Sequence, residues 1–430
     1  MSQIRPRDRS SRIPGIARHG RLRKPNPFGT ILKFLAAALA VVMVSGASVA
    51  VITLAKFDSN IKTVTLANEQ DGPPPELGAY DGGFNVLLVG SDSRAGSGEK
   101  GPSSVLNDVN ILLHVSEDQT NAVAVSIPRD MIVPIPACPT EDGKGSYSAM
   151  SAQPLNSTLS YGGLPCTVLT IESLTGLKIP FAGLITFRGV TDVSTAIGGV
   201  PVCVNGPFHD PFTNLTLPKA GTYALKGKDA LMFLRSRHGV GDGSDLGRIS
   251  SQQVFLSSLV RTVKSSDTLT DFSKLFNIAT VVTKSMTLSN SLKNINTMVA
   301  MAQVLRKLPL DRIMFVQYPG STGGTGIYAN KVRPDLDRAT ALFDLIKADK
   351  PFSLKQGDTG RGSVTDPNAP KPKPSAPSST ASPAPSGSPA PSGSATPSQP
   401  AAPNANAGPA LLDGVQGQSA ADYTCSKVNN

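Results

Sequence analysis

The chain has 430 residues, 39% of them hydrophobic, and a formal net charge of +10. Residues 1–33 carry nine Lys or Arg residues against the single acid Asp8, which leaves only +2 for everything that follows. A basic field confined to one terminal tail indicates membrane topology and excludes a basic groove for nucleic acid on the rest of the chain.

The tail is followed by a membrane-length apolar segment. Residues 34–55 contain no charge, and at 1.5 Å per residue a helix of this length crosses a hydrocarbon core of about 30 Å. The Lys/Arg excess before it predicts a single-pass protein of the cell membrane, with a cytoplasmic N-terminus and an extracytoplasmic main domain. A cleaved signal peptide, with its cleavage site near 48–50, stays open as an alternative.

Residues 56–83 are predicted to be a spacer, and residues 84–354 one folded domain. Apolar runs between turn residues predict strands at 84–89, 109–115, 122–127, 200–204 and 312–317. Helical periodicity predicts helices at 167–174, 189–197, 225–235, 249–263, 275–282, 292–308 and 336–348. This order predicts an α/β fold with a central mixed β-sheet flanked by helices.

The composition changes after the domain. Between 367 and 409, 13 of 43 residues are proline. The segment has too little apolar surface to bury for folding to offset the loss of chain entropy. We therefore expect residues 355–410 to be disordered. The tail 411–430 is expected to fold back if Cys425 forms a disulfide.

Four cysteines allow three pairings. We favour Cys138 with Cys166, because they bracket a Gly/Ser-rich excursion, which leaves Cys203 to tie down the tail through Cys425. Free buried thiols are the alternative, although an oxidising compartment favours bridges.

Polar residues lie at the ends of the predicted strands. Asp92 and Arg94 follow the first strand, Asp108 precedes the second, and Arg129 follows the third. The crevice beyond strand ends is the usual ligand site of an open α/β sheet. Two carboxylates without His or Cys suit a hard cation such as Mg²⁺, with Mn²⁺ also acceptable. Solvated turns and surface ion pairs are the plainer alternatives.

The densest charge cluster lies between two predicted helices, at 233–248. It holds Arg235, Arg237, Arg248 and Asp245 among Gly and Ser. Arginines present planar pairs of donors that match phosphate oxygens. An anion such as pyrophosphate beside a divalent cation would fit phosphoryl transfer by positioning and charge neutralisation; a solvated charged loop is the alternative.

Four segments in this order resemble the LytR-CpsA-Psr family of cell-envelope proteins: GSDSR, SIPRD, FRGVTDVSTAIGG and LKGKDALMFLRSRHGVGDGSDLGR. The resemblance covers about residues 84–354 and the anchor, and the cysteines and basic tail look like those of actinobacterial members. It implies an extracytoplasmic, Mg²⁺-dependent phosphotransferase. Such an enzyme moves a glycopolymer from a polyprenyl-pyrophosphate carrier to a peptidoglycan hydroxyl and leaves a phosphodiester link.

The resemblance also implies residue roles. Asp92 and Asp108 would hold Mg²⁺, and Asp245 would act as general base or as an orienting carboxylate, with Arg94 and Arg237 beside it in catalysis. The expected pyrophosphate contacts are Arg94, Arg129, Arg235, Arg237 and Arg248. The expected walls of a tunnel for the carrier lipid, which are also ordinary core residues, are Phe181, Leu184, Phe187, Phe255, Leu259 and Met298.

The chain departs from the family pattern at three places that are often basic. Leu106 and Asn107 precede Asp108, the stretch 153–155 carries no Lys, and Ser251 stands before Gln252. Each change removes a charge that would neutralise phosphate. Two alternatives to the transferase therefore stay open: hydrolysis of the pyrophosphate bond, and a catalytically weak, lipid-binding envelope scaffold.

Overall fold

The computed structural model describes residues 61–67, 69, 80–93, 105–140, 144–265, 272–355, 357–370 and 409–429. The predicted tail and membrane segment lie outside these residues, as do Arg94 and residues 371–408. Among the described residues, no helix has both the length and the apolar character needed to cross a membrane.

The described helices are α1 (Thr158–Thr175), α2 (Phe187–Ile197), α3 (Lys228–Arg235), α4 (Asp245–Ser265), α5 (Phe272–Ser285), α6 (Ile295–Lys307) and α7 (Leu336–Lys347). The strands up to residue 185 are β1 (Lys62–Val64), β2 (Phe84–Ser91), β3 (Asn107–Val115), β4 (Ala122–Ser126), β5 (Ile132–Ile135), β6 (Cys138–Pro139), β7 (Ser146–Tyr147), β8 (Met150–Pro154) and β9 (Phe181–Ile185). The later strands are β10 (Val200–Val204), β11 (Phe208–Asp210), β12 (Leu215–Leu217), β13 (Gly221–Leu225), β14 (Met286–Ser289), β15 (Ile313–Gln317), β16 (Gly320–Ser321), β17 (Arg333–Pro334), β18 (Phe352–Leu354), β19 (Ser363–Thr365), β20 (Ala410–Leu412), β21 (Gly417–Ser419) and β22 (Thr424–Ser426).

The central sheet has eight strands in the order β1-β14-β9-β2-β3-β4-β15-β21. The β2–β9 and β4–β15 pairs are parallel, whereas β2–β3 and β3–β4 are antiparallel. The predicted central mixed sheet flanked by helices is therefore confirmed.

Successive apolar side chains of β2 pack on opposite faces of this sheet. Leu87 and Val89 belong to a cluster that includes Ile171 of α1 and Phe343 of α7. Phe84 and its neighbours on the other face belong to a second cluster, which includes residues of α6. Because successive side chains of a strand point to opposite faces, one apolar strand serves two cores.

A smaller sheet, β13-β10-β22-β19, packs with α3 and α4 around a third apolar cluster. The sequence predicted a helix from 225, but Leu225 ends β13 and the helix begins at Lys228. Gly227 separates the two elements with a positive φ of 59°, a conformation that Gly adopts without a steric penalty.

The strand β9 was missing from the predicted elements although it lies next to β2. It is only five residues long and contains Gly183, whose added Cβ would lie 2.8 Å from the Met286 Cε. A short strand interrupted by glycine gives a weak period-two signal, so the sequence offered little to identify it.

The folded part of the chain extends past Leu354. Strand β21 forms an edge of the central sheet, and β22 lies between β10 and β19 in the smaller sheet. Within that pairing Cys203 faces Cys425, and the two form a disulfide. Cys138 and Cys166 form another, so the structure contains both bonds of the favoured pairing, and the C-terminal tail folds back.

Replacing Cys203 and Cys425 together by Ser is expected to lower the free energy of unfolding by about 2–5 kcal/mol, because the bond closes a long loop of the unfolded chain. The Cys138–Cys166 bond closes a loop of only 28 residues, against 222 for Cys203–Cys425. The Cys138/Cys166 double Ser variant should therefore lose less unfolding free energy. Urea unfolding under non-reducing conditions measures both losses, and an equal or reversed order would contradict the loop-length explanation.

Candidate active site

A β-bulge orients Asp108 at the end of the central sheet. Gly90 faces Val109 and Ser91 faces Asn107, so Asp108 is the extra residue on β3. A bulge redirects the side chain of its extra residue. Asp108 consequently leaves the ladder and pairs with Arg129.

Asp92 directly follows β2, the strand that pairs with β3. Its backbone N donates to the Leu106 carbonyl at 3.1 Å, and its Oδ1 accepts from the Leu106 N at 2.7 Å. Of the two predicted metal ligands, Asp92 thus directly follows β2 and Asp108 is the bulge residue of the adjacent β3. Two carboxylates are ligands of the kind that Mg²⁺ takes, since it binds few protein oxygens and keeps several waters, and their binding of the ion stays a prediction.

Arg129 is the centre of the charged site. It follows β4 and pairs with Asp108 through Nη1, while its Nε lies 3.5 Å from Asp130 Oδ2 and 3.7 Å from Asp245 Oδ1. Burial disfavours the charged guanidinium, but Asp108, Asp245 and Asp130 together outweigh burial and raise the pKa of Arg129.

The first turn of α4 supplies a buried ion pair. Arg248 Nη2 lies 2.6 Å from Asp245 Oδ1, with side-chain exposures of only 5% and 3%. The same Nη2 donates to the Asp108 carbonyl at 2.9 Å, which ties α4 to the bulge. Burial lowers the pKa of Arg248, and Asp245 opposes that shift. An acid in the first turn is also favoured by the helix dipole.

The loop before α4 places Arg237. Its backbone N donates to Asp210 Oδ2 at 2.9 Å, and its Nη2 lies 4.0 Å from Asp130 Oδ2. Asp210 is fully buried and also accepts from the backbone N of Phe212, Thr213 and Gly239. Burial disfavours its ionised form, but these four N–H donors outweigh burial and lower the pKa of Asp210.

Lys331 completes the site and was not predicted. Its Nζ lies 3.2 Å from Asp130 Oδ1. The Val332 N donates to the Asp130 carbonyl, and the Ile132 N donates to the Val332 carbonyl, so the two segments run side by side. A single Lys in a loop carries no motif, and only this tertiary pairing identifies it.

We call these side chains the ionic cluster: Asp108, Arg129, Asp130, Arg237, Asp245, Arg248 and Lys331. Four are cations and three are carboxylates. The Nε atoms of Arg129, Arg237 and Arg248 are buried and have no hydrogen-bond acceptor in the part of the chain that the structure describes. Buried polar atoms are nearly always paired, so the three Nε donors suit an anion with several oxygens. The two Asp245 carboxylate oxygens are also without a hydrogen-bond partner among the described residues, and their charge reduces the attraction that such an anion would meet.

Arg235 and the predicted tunnel residues make contacts outside the ionic cluster. The Arg235 guanidinium carbon lies 4.1 Å from the centre of the Phe187 ring. The predicted tunnel residues divide among three clusters: Leu184 packs against one, Phe181 and Met298 belong with another, and Phe187, Phe255 and Leu259 with the third. Their role in lipid binding stays a prediction, as does that of Arg94.

The C-terminus holds the loop that carries Arg237. Gly241 N donates to the Lys427 carbonyl at 2.8 Å, and Asn429 N donates to the Gly239 carbonyl at 3.1 Å. Ser251, which stands where the family often has a basic residue, makes a 2.8 Å hydrogen bond with the Ser426 hydroxyl. The position that lost a charge is therefore a buried contact with the C-terminal strand.

A mixed sheet with arginines and carboxylates gathered beyond the ends of β2 and β4 defines an α/β protein with a charged site at the edge of its sheet. The profile of the LytR_cpsA_psr family matches residues 41–341, and the chain belongs to this family.

Relatives agree with this assignment. The cell wall biosynthesis protein LcpA of Corynebacterium glutamicum is 30% identical over 298 residues, which cover 62% of this chain and 56% of LcpA. The polyisoprenyl-teichoic acid–peptidoglycan teichoic acid transferase TagT of Bacillus subtilis is 28% identical over 259 residues, 58% of this chain and 75% of TagT. The chain thus spans little more than half the length of LcpA. The crystal structure of B. subtilis TagV shares the fold, with a TM-score of 0.50 and 23% identity over 63% of this chain and 98% of TagV.

Asp245→Asn is expected to lower the free energy of unfolding by about 3 kcal/mol, because it leaves the buried Arg248 charge without its carboxylate. Asp192→Asn is the matched control. The Arg188 and Asp192 side chains are 64% and 42% exposed, so this ion pair should contribute less than about 1 kcal/mol. Urea unfolding at neutral pH measures both, and equal losses would show that the buried pair is not the source.

Asp210→Asn tests the carboxylate beneath Arg237. Because the folded-state pKa of Asp210 is lowered, its stabilisation is complete above the unfolded pKa of about 3.9 and is lost as the pH falls through the folded pKa. The difference in unfolding free energy between wild type and variant should be constant from pH 7 to pH 5 and then narrow in more acidic solution. A difference that stays constant to the lowest accessible pH would contradict this role.

Proposed function

We propose that this protein transfers a glycopolymer from a polyprenyl-pyrophosphate carrier to a peptidoglycan hydroxyl, with formation of a phosphodiester in wall assembly. The observation that carries the proposal is the ionic cluster, with three buried arginine Nε donors and one lysine around a sheet end. Membership of the LytR_cpsA_psr family supports it. So does TagT, whose name gives polyisoprenyl-teichoic acid and peptidoglycan as its substrates.

In this proposal Arg129, Arg237 and Arg248 bind the pyrophosphate oxygens. The acceptor hydroxyl oxygen attacks the phosphorus attached to the glycan, and its proton passes to water. The bond from that phosphorus to the bridging oxygen breaks, and polyprenyl phosphate leaves with this oxygen. Fixed guanidinium groups stabilise the charge that develops on the transferred and leaving phosphates.

The carboxylates orient these cations. Asp245 is nearly inaccessible to solvent and lies close to both Arg248 and Arg129, which favours the orienting role over that of a general base. Asp92 and Asp108 would hold Mg²⁺ or Mn²⁺ at the bulge. When bound, the ion would neutralise charge on the two phosphates.

The remaining predicted groups act around this centre. Arg94, which follows β2 in the sequence, and Arg235 of α3 would add contacts to the pyrophosphate. The prenyl chain would lie among the apolar residues expected to line the tunnel. Phe187, which packs under the Arg235 guanidinium, would then join the headgroup site to the lipid site.

The domain is proposed to work outside the cytoplasm, anchored by residues 34–55 with the basic tail inside. Two disulfides support an oxidising compartment. An anchor close to the domain would keep the ionic cluster near the outer leaflet, where a prenyl-linked substrate presents its pyrophosphate.

A radiolabelled polyprenyl-pyrophosphate glycan with peptidoglycan as acceptor tests the proposal. Wild type should transfer label to peptidoglycan in the presence of Mg²⁺. Arg237→Ala should lower kcat by about 10²–10³, as removal of one transition-state donor does elsewhere. Arg188→Ala, whose side chain is exposed in α2, is the matched control and should retain full transfer.

Full transfer by Arg237→Ala would refute the assigned site. Release of the glycan phosphate to water, with none on peptidoglycan, would make the protein a hydrolase that uses the same cluster. Binding of the lipid without either reaction would favour the scaffold function.

A further inference from the structure

Phe212 is the most exposed large apolar side chain among the described residues. It lies in the turn between β11 and β12 and is 78% exposed. Its ring centre lies 4.2 Å from that of His238, with 32° between the planes. The two rings are therefore stacked, which leaves the outer face of the Phe212 ring as an exposed aromatic surface, and His238 directly follows Arg237 in the chain.

A single carboxylate fixes this surface relative to the ionic cluster. Asp210 Oδ1 accepts from the backbone N of Phe212, and Oδ2 accepts from the backbone N of Arg237 and Gly239, on either side of His238. The hydroxyls of Thr213 and Ser236 make a further 2.8 Å bond between the two segments. The hairpin and the Arg237 loop are thus held together as one unit.

The C-terminus fixes the other side of the pair. Asn429 Nδ2 donates to the His238 carbonyl at 2.9 Å. His238 is thereby held from both Asp210 and the C-terminal residues. A ring at the tip of a mobile hairpin would have no such supports, so the surface has a set position beside the anion-binding arginine.

The chemistry of this arrangement matches one kind of ligand. An aromatic face carries negative charge density and packs against the polarised C–H groups of an apolar ligand face. Arg237, next to it, presents a donor for an anion. A pyranose ring attached to a phosphate has both features, an apolar C–H face and an anionic group a few ångströms away.

We infer that the outer face of the Phe212 ring, supported from behind by His238, forms a platform for the sugar ring that lies next to the reacting phosphate. This inference rests on the proposed function and extends it from the pyrophosphate to the glycan. The sugar belongs either to the glycopolymer of the donor or to the peptidoglycan acceptor. Both present the same ring chemistry, and the experiments below separate them.

Binding is tested without turnover. The chain contains no tryptophan, so Phe212→Trp introduces a single fluorophore on the platform. Muramidase-solubilised peptidoglycan fragments or the glycan donor should shift its emission. Tyr147→Trp, which introduces a fluorophore on β7, should show no shift. No shift with either glycan, or the same shift in both variants, would overturn the platform.

Inorganic pyrophosphate alone is the third probe. It should shift the emission of Phe212→Trp less than a glycan does. If pyrophosphate alone produced the full shift, the fluorophore would be reporting the anion, and the platform would be refuted.

Kinetics identifies the source of the sugar. Phe212→Ala should raise KM by about 3- to 10-fold, the loss of one aromatic contact, while Tm stays unchanged because the ring is exposed. Phe212→Tyr should restore KM. An increase confined to the peptidoglycan KM, with donor hydrolysis unaffected, assigns the acceptor sugar. An increase in the donor KM for transfer and hydrolysis assigns the donor sugar. Unchanged KM values for both substrates would refute the inference.

Different measurements test the transferase activity and the sugar platform. If wild type neither transfers nor hydrolyses the donor, the proposed function is wrong, and the fluorescence titration still decides whether the platform binds sugar. If wild type is active and Phe212→Trp is unresponsive, only the platform is wrong.

Discussion

Mutual repulsion among closely placed guanidinium groups is the constraint on which the rest of this structure depends. Arg129, Arg237 and Arg248 converge at one end of the central sheet, and burial, which is nearly complete for Arg248 and partial for the other two, would make their charge costly. Three carboxylates offset that cost without using all the donors. Asp245 pairs with Arg248, Asp108 with Arg129, and Asp130 lies near Arg129, Arg237 and Lys331. The cluster therefore keeps only a small surplus of positive charge, but it places several fixed donors where an anion could bind.

Much of the surrounding architecture maintains that arrangement. The bulge turns Asp108 toward Arg129, the first turn of α4 supplies Asp245 and Arg248, and Asp210 fixes the loop before it. The chain on both sides of the proline-rich segment packs against this region. Before that segment, an added Cβ on Gly362 would lie 1.9 Å from the Gly247 carbonyl oxygen, so the backbone there passes directly over the start of α4. The Cys203–Cys425 disulfide anchors the final strand, and Ser426 meets Ser251 on α4.

Features with a strong local sequence pattern could be predicted, whereas features that depend on pairing with distant residues could not. Strands at 84–89 and 109–115 were predicted because long apolar runs between turn residues have few other interpretations, and they lie within β2 and β3. Arg129, Arg237, Arg248 and Asp245 could be found because they occur in dense motifs. The interior position of β9, the bulge at Asp108 and the place of Lys331 could not, since each is set by a partner distant in the chain. Asp130 was not among the predicted site residues, and a surface ion pair with Arg129 was only the plainer alternative for its motif; in the structure Asp130 contacts Lys331 and lies near Arg237.

In the proposed function the ionic cluster binds a pyrophosphate group. Isothermal titration of wild type and Arg129→Gln with a short-chain prenyl pyrophosphate and the matching prenyl monophosphate, in the presence of Mg²⁺, measures this binding most directly. The account predicts that wild type binds the pyrophosphate at least about tenfold more tightly than the monophosphate, a difference of about 1.4 kcal/mol, and that Arg129→Gln loses this preference. Equal affinity of wild type for the two ligands, or an unchanged preference in the variant, would contradict it.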